Sequence, residues 1–198
     1  MEKNVAEQYK LMVIGGSAGS LEVIIKIFDS LPNAVSLTIV LILHRKSSVD
    51  NTLVDLLASK TAIQVKEVED KEPLLINTVY VAPPDYHLLI EDKTSFSLDT
   101  SEKVLHSRPS IDVTFESAAE IFGKSVIGIL LSGASADGAA GLCTIKECGG
   151  LTIVQDPETA EVGFMPQQAI QMGGVDRVIN GNDLPSYLQR FFLRSGLT

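Results

Sequence analysis

Residues 11–31 read LMVIGGSAGSLEVIIKIFDSL, and this stretch decides the fold. Leu11–Ile14 is an unbroken apolar run, too short for a helix, that ends at Gly15-Gly16 and so reads as a strand entering a tight turn. Over Leu21–Leu31 the pattern becomes helical: Glu22, Lys26 and Asp29 fall on one face, and Leu21, Ile24, Ile25 and Phe28 on another. Pro32-Asn33 stops it. The next apolar run, Leu37–Leu43, is apolar on both faces, as a central parallel strand should be.

The alternation continues outward from this unit. Leu37–Leu43 reads as a second strand, Val49–Ser59 as a helix and Gln64–Val68 as a third strand. The rhythm then changes. Thr78–Ala82, His87–Ile90 and Ser95–Leu98 are short runs separated by Pro83-Pro84-Asp85-Tyr86 and Glu91-Asp92-Lys93, which predicts antiparallel hairpins inserted across Glu72–Asp99. Ser110 is placed to cap a helix over Ile111–Phe122. Strand Val126–Leu131, helix Ala139–Cys148 and strand Leu151–Gln155 restore the βα order. Helix Pro166–Met172, with proline at its first position, and a short strand Arg177–Ile179 follow. A last helix, Leu184–Phe192, repeats Leu184, Tyr187, Leu188, Phe191 and Phe192 at helical spacing. The expected fold is α/β, one domain over residues 1–198: a doubly wound, mostly parallel sheet with helices on both faces and an antiparallel hairpin insertion.

Composition narrows the function. The chain has 198 residues, 45% of them apolar, enough for one packed core. Sixteen basic against twenty-five acidic residues leave a net charge of −9 with no basic cluster, which argues against nucleic acid as a partner. Aromatics are 6% and Trp is absent, which disfavours a base-stacking platform. The most apolar stretch, Leu37–Leu43, is far short of the roughly 20 residues of a membrane span. Glu2, Lys3, Asn4, Glu7, Gln8 and Lys10 interrupt any secretory segment. Cys143 and Cys148 lie about 140° apart around a helix and cannot pair there, and no zinc spacing occurs. A cytoplasmic protein without membrane insertion, metal or cofactor is expected.

In an open α/β sheet, ligands bind beyond the carboxyl ends of the strands where strand order reverses. Three candidate groups follow strands: Ser17, His44 and Asp137. Gly15-Gly16-Ser17-Ala18-Gly19 has the Gly-x-Ser-x-Gly form of a nucleophile elbow, in which flanking glycines allow a sharp turn that exposes the hydroxyl. A simple capping serine fits the same residues. His44 closes an apolar strand and also suits a structural role, whereas His87 and His106 read as structural or surface residues. Asp137 lies among the small residues of Gly133–Gly141, where a carboxylate can orient an imidazole, or simply favour a helix N-terminus. Asp156, after another strand, is its rival. Taken together, a Ser–His–Asp relay is the favoured reading. A dinucleotide site is the alternative, with Arg45-Lys46 facing a 2′-phosphate, but Ser17 stands where Gly-x-Gly-x-x-Gly requires its second glycine.

A set of ordered motifs adds to this. These are Gly16-Ser17-Ala18-Gly19, His44, Val81-Ala82-Pro83 with His87, Arg108-Pro109-Ser110-Ile111-Asp112, and Leu130-Leu131-Ser132-Gly133 leading to Asp137-Gly138-Ala139. Gly149-Gly150, Gln155-Asp156, and Met165-Pro166 with Ala169-Ile170 complete the set. Over nearly the whole chain the sequence resembles the catalytic domain of the chemotaxis receptor methylesterases, the CheB family. The resemblance implies Ser17 as nucleophile, His44 as general base and Asp137 as orienting carboxylate. It implies hydrolysis of glutamyl methyl esters, with deamidation of glutamines, on the cytoplasmic helices of chemotaxis receptors. Backbone N–H groups at Ala18 and Ala134 are the expected oxyanion donors, with Met165 placed beside the substrate. Departures from the family pattern are Leu43-His44-Arg45-Lys46 around the histidine, Ala134 where a methionine is usual, and Ser20 closing the first loop; they bear on substrate contacts. Arg45 and Lys46 suit a glutamate-rich substrate helix. The family's typical receiver domain would precede the catalytic domain, yet about ten residues precede the first strand here. No phospho-aspartate switch is then expected in this chain, and a separate regulatory protein becomes a candidate partner. A catalytically idle binding module with the same fold is the rival function.

Overall fold

The computed structural model describes residues 9–45 and 52–197. Its elements are β1 (Leu11–Gly16), α1 (Leu21–Ser30), β2 (Thr38–Leu43), α2 (Thr52–Ala58), β3 (Gln64–Glu67), β4 (Thr78–Val81), β5 (His87–Ile90), β6 (Phe96–Asp99), α3 (Ile111–Phe122), β7 (Val126–Leu130), α4 (Ala139–Glu147), β8 (Leu151–Gln155), α5 (Phe164–Gln171), β9 (Arg177–Ile179) and α6 (Leu184–Ser195). Seven strands form one parallel sheet in the order β3-β4-β2-β1-β7-β8-β9, and β5 and β6 pair separately as an antiparallel hairpin. The first three residues of the expected helix Val49–Ser59, and Lys46, lie outside the described residues.

Alternation along β1 shows why helices must cover both faces. Met12 and Ile14 pack with Ile24 and Phe28 of α1, Leu57 of α2, and Leu184, Leu188 and Phe192 of α6. Leu11 and Val13 point the other way, toward Phe115 of α3, Leu142 and Ile145 of α4, Met165 and Ala169 of α5, and Leu88, Ile90 and Phe96 of the hairpin. Truncating any of these buried aliphatic side chains to alanine costs about 2–5 kcal/mol, so each layer is held strongly in place.

The expected architecture holds, with three corrections. First, β4 is not part of an antiparallel insertion: it lies between β3 and β2 and runs parallel to both, Thr78 opposite Thr38 and Gln64. All four of its residues are buried, as a central parallel strand requires. The link from β3 is residues 68–77 with no helix, and the Tyr80 hydroxyl braces it by donating to Pro73 O (2.7 Å) and accepting from Leu75 N. Second, α5 begins at Phe164, so Pro166 is its third residue rather than its first; an N–H there would still lack an intrahelical partner. Third, α1 buries Val23, Ile24, Ile27 and Phe28. Leu21, assigned to the apolar face, is 40% exposed because it faces the site described below.

Helices α3 and α4 approach closely, and Gly141 makes this possible. A Cβ at that position would lie 2.5 Å from Phe115 Cβ and 3.0 Å from Asp112 O, neither of which can swing aside. Gly141→Ala should therefore lower stability by about 1–3 kcal/mol through overpacking, despite the better helix propensity of alanine. Denaturant melts of the two proteins measure this, and an equally stable variant would mean the helices part freely. Both cysteines are free thiols, and among the described residues no helix is long and apolar enough to cross a membrane.

Candidate active site

Strand order reverses at β1, which pairs with β2 on one side and β7 on the other. The register aligns their carboxyl ends, with Gly16 opposite Leu43 and Gly15 opposite Leu130. Backbone bonds carry this alignment into the loops: Ser17 N–H donates to Ser132 O (2.9 Å) and His44 N–H to Gly16 O (3.2 Å). Ser17, His44 and the loop leading to Asp137 therefore emerge on one rim because of sheet register alone.

Asp137 is completely buried and His44 is 12% exposed. His44 Nε2 lies 2.6 Å from Asp137 Oδ2. The same carboxylate accepts Ile111 N–H on Oδ2 (2.7 Å), and Ser110 Oγ–H (2.7 Å) and Asp112 N–H (3.0 Å) on Oδ1. It thus sits on the N-terminus of α3, where unpaired amides and the helix dipole favour an anion. Burial works to raise the Asp137 carboxyl, but the bonds from His44, Asp112, Ile111 and Ser110 outweigh it and hold it below the usual range. An ionised carboxylate can only accept, so Nε2 carries the proton and Nδ1 presents a lone pair. Ser107 Oγ lies 3.3 Å from Nδ1.

Ser17 does not cap α1. That position belongs to Ser20, whose hydroxyl donates to Ser17 O (2.7 Å), and the Ser17 hydroxyl has no hydrogen-bond partner among the described residues. The Ala18 and Ala134 N–H groups are likewise unpaired among the described residues, and both residues are exposed. Met165 is fully buried, and its N–H donates to Gly133 O (2.9 Å). Its thioether fills the space a Gly133 side chain would need, where a Cβ would come within 3.0 Å of Ser17 Cβ. Met165 therefore packs against Gly133, which lies between it and Ser17, and its N–H is already engaged. Asp156, the rival carboxylate, instead accepts Glu158 N–H (3.0 Å) at a short helical turn.

The imidazole stands between two cavities of about 360 Å3 each. One is mainly apolar, with Ser17, Leu21, Leu43, Leu53 and Leu56 in its walls. The other is polar, bordered by Asp85, Lys103, His106, Ser107 and Arg108. Arg45 borders both and is ion-paired with Glu67, so its charge is compensated. A serine hydroxyl and an imidazole held by a buried carboxylate thus share one apolar pocket, an arrangement that acyl transfer can use.

The sequence profile of the CheB methylesterase family matches residues 12–188. The chain belongs to this family. A Leptospira interrogans relative is 45% identical over 172 residues, 87% of this chain and 89% of its own length. A protein of Carboxydothermus hydrogenoformans named protein-glutamate methylesterase/protein-glutamine glutaminase 1 is 43% identical over 178 residues, 86% of this chain but 52% of its own length. The crystal structure of the Thermotoga maritima CheB methylesterase catalytic domain superposes with a TM-score of 0.87 at 34% identity, covering 92% of this chain and 98% of that one.

Several residues at this CheB-family site escaped the sequence reading as site residues. Ser110 reads as a cap and does accept Val113 N–H, but its hydroxyl proton goes to Asp137. His87, read as structural or surface, is buried: Nδ1 accepts Ser110 N–H (3.2 Å) while Nε2 donates to Glu102 O (2.9 Å). The motif Arg108–Asp112 was the available signal for Ser110 and Asp112. Nothing in the sequence singled out Ser107.

Proposed function

We propose that the chain is a serine hydrolase that removes methyl esters from glutamyl side chains of chemotaxis receptor helices, and deamidates glutamines by the same route. One observation carries the reading: a fully buried carboxylate holds the His44 imidazole in the wall of the pocket that Ser17 also lines, and the Ser17 hydroxyl has no hydrogen-bond partner among the described residues. Ser17 Oγ attacks the ester carbonyl as His44 Nδ1 takes its proton. Asp137 stabilises the resulting imidazolium through Nε2–H, and the Ala18 and Ala134 N–H groups receive the oxyanion. Collapse expels methanol, protonated by His44, and leaves a glutamyl ester on Ser17. Water, deprotonated by His44, then cleaves that ester, releasing a glutamate carboxylate and restoring the serine. With glutamine the leaving group is ammonia.

The two imidazole nitrogens trade places relative to the serine-protease arrangement, in which the aspartate binds Nδ1 and the base is Nε2. Roles follow from which nitrogen faces the carboxylate, so the chemistry is unchanged. Leu21, Leu43, Leu53 and Leu56 give the apolar pocket that takes the methyl ester and the aliphatic stem of the glutamyl side chain. The reading includes action in the cytoplasm and needs no metal. The dinucleotide alternative loses one of its two cations, because Arg45 is already paired with Glu67, while Lys46 lies outside the described residues.

Methanol release from a methylated receptor fragment tests the reaction. A serine-directed phosphonate tests the nucleophile, and a folded protein that neither releases methanol nor labels at Ser17 is a binding module instead. Ser107→Ala removes one long hydrogen bond to Nδ1, worth about 1 kcal/mol. Its turnover should change less than about tenfold, and a loss of several orders of magnitude would make Ser107 a member of the relay.

A further inference from the structure

The starts of α3 and α4 cap each other through two carboxylates. Asp137, immediately before the N-cap of α4, accepts Ile111 N–H and Asp112 N–H at the start of α3. In return Asp112, the second residue of α3, accepts Gly138 N–H (2.8 Å) and Gly141 N–H (2.7 Å) at the start of α4, both on Oδ1. The N-cap of α4 is Gly138, which has no side chain of its own to do this. We infer that Asp112 is a positioning residue for the catalytic relay: it fixes the loop that carries Asp137, and through Asp137 the imidazole of His44.

Three observations support this. The Asp137 carboxylate is locked on the α3 side by Ser110 and two amides, and on the α4 side the Asp112 carboxylate takes the Gly138 and Gly141 amides that flank the helix start. Asp137 N–H donates to Ser135 Oγ at 3.2 Å, Ala139 N–H to Ala136 O at 3.1 Å and Leu142 N–H to Gly138 O at 3.0 Å, and the N–H of Gly138, whose φ is +98°, goes to Asp112. Gly141 allows the two helices close enough for a short aspartate to reach across. Finally, Asp112 is an expensive residue at this place. Burial, partly offset by the Gly141 and Gly138 amides, and the neighbouring charge of Asp137 push its carboxyl up to about 6. A buried carboxyl facing a second one destabilises the fold unless its hydrogen bonds do something a packed aliphatic side chain cannot.

The inference rests on the proposed reaction, so its test carries a readout that does not need turnover. In wild-type protein the His44 Nε2–H···Asp137 bond should give a downfield proton resonance, assigned by its loss in Asp137→Asn. Asp112→Ala should weaken or broaden that resonance and lower turnover per phosphonate-titrated site by about 100-fold, the effect of an ångström-scale misplacement, with KM little changed. Asp112→Asn keeps an oxygen for both amides and should retain the resonance and turnover within about tenfold of wild type. Asp112→Ser, whose hydroxyl falls short of both amides, replaces the alanine variant if that one does not fold. An unchanged resonance and turnover in Asp112→Ala, or equal losses in the alanine and asparagine variants, overturns the positioning role. A wild-type protein that shows the resonance but releases no methanol overturns the proposed reaction and leaves the positioning of His44 to be judged on the resonance alone.

Discussion

Ser17→Ala is expected to abolish methanol release while leaving the fold untouched. The substitution removes a hydroxyl that bonds to nothing among the described residues, since Ser20 occupies the cap of α1. The Ser17 backbone bond to Ser132 O is retained, so the loop keeps its place. Stability should stay within about 0.5 kcal/mol of wild type. Turnover should fall by a factor on the order of 10³ to 10⁶, as it does when a relay acting as one unit loses its nucleophile. Substrate affinity should persist, because the apolar pocket and both N–H donors remain. Undiminished turnover in a folded variant would remove Ser17 from the mechanism.

Asp137→Asn is the second large effect, and it differs in kind because it perturbs fold and catalysis together. The wild-type carboxylate accepts four donors, from His44, Ser110, Ile111 and Asp112. An amide has one oxygen. If its NH2 faces His44, the imidazole must move its proton to Nδ1, and the base facing Ser17 is gone. If its NH2 faces α3, it meets the Asp112 N–H donor head-on. Turnover should fall by up to about 10⁴, by analogy with the serine-protease aspartate. Stability should fall by about 1–3 kcal/mol for the buried donors left unmet. Asp156→Asn is the control: the amide oxygen can still accept Glu158 N–H, and turnover should change less than about threefold. The opposite ranking in two folded proteins would move the orienting role to Asp156.

The pH dependence of stability separates the two buried acids. Asp137 is held below the usual carboxylate range, so its contribution is complete above about pH 4 and is lost as pH falls through its lowered value. Asp112 works in the opposite sense. Its carboxyl, raised to about 6, ionises in the folded state only above the range where the unfolded chain has already lost its proton. Stability therefore declines as pH rises from about 4 to 6, and Asp112→Asn should flatten that decline.

Much of the architecture was written in local patterns. Strand-length apolar runs in β1, β2, β7 and β8, and helical spacing in α3 and α6, depend on neighbours a few residues away, and their boundaries agree with the structure to within a few residues. β4 was misread for a physical reason. A parallel crossover normally carries a helix, and residues 68–77 make this one without it, so Thr-Val-Tyr-Val looked like the first strand of a hairpin. The site divides the same way. Ser17, His44 and Asp137 each follow a strand, a position that periodicity locates. Asp112 and Ser110 matter because of where helix α3 meets the start of α4, a contact between residues about 25 apart that no local pattern encodes. Leu21 looked like core for a related reason: helical spacing shows that a face is apolar, not whether protein or substrate covers it.

The order of strands has a consequence for how the protein acquires activity. β1 is the first strand in the chain, yet one of its neighbours, β7, is made more than a hundred residues later. The bond between His44 and Asp137 spans 93 residues. Loops of that length close slowly, and proteins dominated by such pairings fold slowly. The Ser17 loop, bonded to Ser132 O, and the His44 imidazole, bonded to Asp137, therefore both wait for the chain that follows β7. On refolding, esterase activity should return with the slowest global phase rather than with early helix formation. During synthesis, the growing chain should stay inert until residue 137 has emerged and β7 has docked, so the onset of hydrolysis reports the docking of β7.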